Sequence, residues 1–163
     1  MVALLDVVQI DAKECIDWAV EMLLLGYETP SLLIVAACSS RSSFFELKPY
    51  MEKALQELGL KPKNGDAAII SYCSFFIRAI AKGEDVKGKL AELHRFCQHT
   101  DCDGDLFDFQ SLYWAWDDID FLGDEYPTHY WPDVNQENIE ATVRKVASDW
   151  LGKHKDLFSL ESY

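Results

Sequence analysis

Apolar residues recur every three to four positions along nearly the whole chain, and no segment sustains the period-two alternation of a half-buried strand. That periodicity predicts helices packed on helices. Cys15, Trp18, Ala19, Met22 and Leu23 form the first stripe, with Gly26 placed to end it. Thr29-Pro30 supplies an N-cap and a first-turn proline for a short, almost wholly apolar helix through Cys38. A helix apolar on every side is expected at the centre of the core. Ser43 and Glu46 have the spacing of a capping box, ahead of Leu47, Tyr50, Met51, Ala54, Leu55 and Leu58. Pro49 predicts a kink in that helix, or a start delayed to near Lys48.

Asp66 is placed to cap a long helix whose apolar face holds Ile69, Tyr72, Cys73, Phe76 and Ile80, closed by Gly83. Val86, Leu90, Leu93 and Cys97 mark a fifth helix, and Leu106, Phe109, Tyr113 and Trp116 a sixth, running to about Ile119. Residues 121–133, with Pro127 and Pro132, read as a loop. Asp133 or Asn135 then caps a last helix that buries Ile139, Val143, Val146 and Trp150. The first ten residues fit either a strand or a helical turn. The expectation is an all-α fold: a single compact domain, residues 1–163, of six to seven helices.

Charge narrows the function classes. Against 15 Lys and Arg stand 28 Asp and Glu, a net charge of −13. Such a polyanion is not expected to seek nucleic acid or an anionic membrane. The N-terminus lacks a basic region and carries Asp6 within its apolar run, so no signal peptide or membrane span is expected. Five cysteines (Cys15, Cys38, Cys73, Cys97 and Cys102), several on apolar helical faces, suit buried thiols in a reducing compartment. A cytoplasmic protein is expected.

One stretch differs from the rest. Residues 96–143 contain no Lys or Arg, yet hold Asp101, Asp103, Asp105, Asp108, Asp117, Asp118, Asp120, Asp124, Glu125, Asp133, Glu137 and Glu140. Phe107, Phe109, Tyr113, Trp114, Trp116, Phe121, Tyr126, Tyr130 and Trp131 are interleaved with them. If Phe109, Tyr113 and Trp116 face the core, Trp114 points elsewhere, because neighbouring helical positions diverge by about 100°. Asp117, Asp118 and Asp120 crowd a helix C-terminus, where the dipole disfavours anions. Carboxylates that speed association with a basic protein, beside aromatic anchors that hold it, would account for this composition. The expected partner-binding residues are Trp114, Asp117, Asp118, Asp120, Asp124, Glu125, Tyr126, His129, Tyr130 and Trp131. The plain alternative is a solvated acidic face over a helix whose aromatics are all core.

Other chemistry is thinly represented. His94, Cys97, His99 and Cys102 offer nitrogen and sulfur ligands for tetrahedral zinc, at a spacing tighter than the usual paired knuckles. A metal-binding protein or metal-dependent enzyme centred on them is the alternative function. Asp101, Asp103 and Asp105 suggest a calcium loop, but loop positions six and twelve hold Leu106 and Leu112 instead of Gly and Glu. Nucleophile elbows, phosphate loops, zinc-protease motifs and C-x-x-C pairs are missing from the sequence. No cofactor is implied, and an enzyme is the lesser expectation.

Segments 46–60 (ELKPYMEKALQELGL) and 79–97 (AIAKGEDVKGKLAELHRFC) resemble stretches of small all-helical bacterial proteins. The overall character is similar to immunity proteins that neutralise secreted bacterial toxins. Those are typically compact, acidic and cytoplasmic, and bind a basic toxin domain. The resemblance implies a basic protein partner, a toxin domain among the candidates, and carries over no functional residue.

Overall fold

The computed structural model describes residues 11–100, 104–123 and 128–155, and every described regular element is helical. In chain order these are α1 (Ala12–Leu24), α2 (Pro30–Ala37), α3 (Phe44–Glu57), α4 (Gly65–Lys82), α5 (Val86–His99), a 3-10 turn at Gly104–Leu106, α6 (Phe107–Leu122) and α7 (Ile139–Lys153). The chain's contacts separate into two compact units, Met1–Tyr72 and Cys73–Tyr163, so the division falls within α4.

In the first unit, side chains fix where the helices begin. Asp11 Oδ1 accepts from the Glu14 N–H while Glu14 Oε2 accepts from the Asp11 N–H, a reciprocal cap for α1. Thr29 Oγ1 caps α2 through the Leu32 N–H, with Pro30 at its first position. Ser43 and Glu46 close the expected capping box on α3. That helix runs unbroken through Pro49 instead of starting at Lys48. Pro49 cannot donate to the carbonyl four residues back, that of Phe45, a residue at the exposed start of the helix.

Cys15 and Ala19 of α1, Leu32 and Val35 of α2, and Leu47, Met51, Ala54 and Leu55 of α3 form one buried cluster, with Trp18, Met22, Phe44 and Leu58 packed around it. The expectation that α2 is central on all sides is corrected: Leu33 and Ile34 are exposed, and only Ser31, Leu32 and Val35 are buried. The Glu57 carboxylate fastens the end of α3 to the start of α2. Its Oε2 accepts from the Ser31 N–H and its Oε1 from the Ser31 hydroxyl, each at 3.0 Å. The backbone N–H of Ser31 foremost, then the Thr29 and Ser31 hydroxyls, hold this carboxyl below its ordinary pKa.

In the second unit, α5, α6 and α7 each touch the other two. Leu90 and Leu93, Phe109, Leu112 and Ala115, and Val143, Ala147 and Trp150 are among their buried residues. The α6 stripe differs from the expected one. Leu112, Ala115 and Ile119 continue it from Phe109, while Tyr113 and Trp116 are only half-buried. Tyr and Trp carry a polar tip that favours a boundary position, which leaves the smaller residues to sit innermost. Asn135 accepts from the backbone N–H of Glu137 and Asn138 and so caps the turn that leads into α7. Among the described residues, no helix is long and apolar enough to cross a membrane.

Candidate docking surface

With one side of α6 committed to the core, the residues on its other side follow from the helical repeat. Phe107, Trp114 and Phe121 are spaced by seven, so they drift by only about 20° per step and form a stripe with a rise of about 10 Å between members. All three are exposed, at 62%, 38% and 87%. Asp117 and Asp118, three and four residues beyond Trp114, flank the stripe.

Trp114 is the centre of a ring cluster. Behind it, the His94 ring of α5 stacks on Tyr113 at 4.0 Å between centroids and 9° between planes. Trp114 meets both edge-on, at 5.1 Å from His94 and 5.5 Å from Tyr113. In front, Tyr130 lies at 6.1 Å and 31°. Tyr130 is half-exposed and reaches Trp114 from the segment that follows α6. A hydrogen-bond chain holds it: the Tyr130 N–H donates to Thr128 Oγ1, whose hydroxyl donates to Asp118 Oδ2, each at 3.2 Å. Gly123, at φ 72°, ends α6 in the left-handed region that favours glycine.

The three neighbouring aspartates thus have different fates. Asp118 is half-buried and engaged by Thr128. Asp120 is ion-paired with Lys87, whose Nζ also lies 5.8 Å from the centre of the Trp116 ring. Asp117 is exposed, and among the described residues no Lys or Arg pairs with it. Its charge is felt instead by His94. Burial pushes the His94 pKa below the ordinary 6.5, and Asp117 opposes that shift without cancelling it. His94 is 5% exposed, and its buried Nδ1 has no hydrogen-bond partner among the described residues.

Of the other expected partner-binding residues, His129 is exposed and Trp131 half-buried. Asp124, Glu125 and Tyr126 lie outside the described residues, as do Cys102, Asp101, Asp103 and the first ten positions. The expected site list omitted Phe107 and Phe121. Their heptad spacing about Trp114 is the signal in the sequence that marks them.

Of the zinc candidates, the described residues His94, Cys97 and His99 are not drawn together. The His94 ring is enclosed by Tyr113 and Trp114, Cys97 is buried on the core side of α5, and His99 is exposed with Nδ1 at 2.8 Å from the Arg95 carbonyl oxygen. Among the described residues, no group of three or more His, Cys, Asp or Glu side chains is placed to hold a metal ion. Burial pushes the Cys15 thiol up to about 11, which makes it a poor nucleophile near neutrality.

No protein-family model, curated protein or solved structure matches the chain. The physical character of the α6 face therefore carries the functional reading.

Proposed function

We propose that the chain is a cytoplasmic, immunity-type inhibitor that covers a basic toxin or effector domain with the outer face of α6 and the segment around Tyr130. The observation that carries the reading is the exposed Phe107–Trp114–Phe121 stripe beside Asp117, which no Lys or Arg pairs with among the described residues, in a region of sequence free of Lys and Arg. Exposed aromatics in a row are costly unless something covers them, and the acidic border selects a cationic partner. Aromatic anchors supply most of the affinity of such interfaces, while the rim carboxylates set the association rate.

The test uses the full chain as bait in its native cell, beside a Trp114→Ala/Asp117→Asn/Phe121→Ala variant. The expected result is a basic protein retained by the wild type, released by salt and lost from the variant. That protein should be toxic when expressed alone and harmless when co-expressed with the wild-type chain. Equal retention by both baits would overturn the site, and a retained partner without toxicity would overturn the inhibitor role. A toxin-domain gene beside this one would be independent support.

A further inference from the structure

The α6 sequence presents one arrangement twice: Trp114 with Asp118 and Trp116 with Asp120 are both tryptophan–aspartate pairs four residues apart, on neighbouring tracks of the helix. At the second pair the arrangement holds a cation. The Lys87 ammonium lies over the Trp116 ring at 5.8 Å and pairs with Asp120. At the first pair Asp118 is engaged by Thr128, and that chain of hydrogen bonds brings Tyr130 against Trp114. The charge there comes from Asp117 instead, one residue earlier, exposed and unmatched by any Lys or Arg among the described residues.

We infer that Trp114, Tyr130 and Asp117 seat a single arginine side chain of the basic partner. This rests on the reading of the α6 face as a docking surface, and it names the group that face accepts. A cation is attracted to the electron-rich faces of Trp and Tyr when it comes within about 6 Å of a ring centroid. Guanidinium is planar and weakly hydrated, so it stacks on a ring while its edge donates to a carboxylate. The two rings are already held in place by the His94–Tyr113 stack behind and the Thr128 chain beside them, so little ordering is required on binding. Lys87 already satisfies Trp116 and Asp120, which confines the seat to the Trp114 side.

The probe is N-acetylargininamide, titrated into the full chain and followed by NMR at the Trp114 and Trp116 indole N–H groups and the Tyr130 amide. N-acetylcitrullinamide, the neutral near-isostere, and N-acetyllysinamide are run alongside. Saturable shifts are expected at Trp114 and Tyr130 with the arginine amide, with Trp116 moving little. Binding should weaken about two- to fivefold in Asp117→Asn and by a similar factor in Tyr130→Leu. The folding of each variant is checked by its unchanged Trp116 resonance. Equal shifts from the citrulline amide, equal or tighter binding of the lysine amide, or an unaffected Asp117→Asn variant would each overturn the inference. Such a result combined with loss of the captured partner from the triple variant would leave the docking surface standing without an arginine seat. A working seat combined with no captured partner would overturn the inhibitor role alone.

Discussion

A neutral imidazole suits the place that His94 occupies. The ring is flat against Tyr113 and enclosed by Trp114, and among the described residues its Nδ1 has no partner that would stabilise a second proton. Because its pKa in the folded chain is below 6.5, the unfolded chain takes up the proton first as pH falls. Stability is therefore full above about pH 6.5 and declines as pH drops toward the lowered folded value. Urea unfolding at pH 7.5 and 5.5 should show this loss, and His94→Phe should remove it. At pH 7.5 that replacement keeps the ring stack and should shift stability by less than about 1.5 kcal/mol. His94→Ala opens a cavity beneath Trp114 and should cost about 2–5 kcal/mol. Glu57 acts in a separate window. Its carboxyl lies below the ordinary 4.5, so its contribution is present above that pH and is lost as pH falls through the folded value. Glu57→Ala should lower the melting temperature at pH 7 and flatten the decline below pH 4.5.

At the scale of the elements, local chemistry near the helix starts was readable in the sequence because a cap needs only a few adjacent residues. Thr29-Pro30 and Ser43-x-x-Glu46 both work as their spacing indicates. Thr29→Ala should cost about 0.5–2 kcal/mol, measured by denaturant unfolding. Which side of a helix is buried was less legible. In α2 the composition is apolar throughout, so periodicity carried no direction, and the exposure of Leu33 and Ile34 had no local signature. In α6 the large aromatics drew the expected stripe toward Tyr113 and Trp116, whereas Leu112, Ala115 and Ile119 are the buried residues. Trp114 was placed outward by the same logic, and the pairing with Tyr130 was not visible, because it depends on a hydrogen-bond chain through Thr128. Pro49 shows the reverse case, a rule of local chemistry overridden by packing: Leu47 and Met51 on either side of it are buried, and the helix forms through it. Replacing the exposed Pro49 with Ala should therefore stabilise the chain. The helix-interior preference for Ala over Pro, which already includes the freedom of the unfolded chain, sets an upper bound of about 3 kcal/mol on the gain.

For the whole molecule, a net charge of −13 attracts any polycation at long range but does not decide where it lands. Placement comes from the short-range features of one helix: three exposed rings at heptad spacing, a tyrosine held against the central one, and an aspartate that no Lys or Arg pairs with among the described residues. Amide hydrogen exchange of the chain, free and bound to the basic protein captured by the bait, tests that placement most directly. Protection is expected to concentrate in residues 107–122 and 128–131. Protection confined to residues 11–60, with the α6 face unchanged, would contradict it.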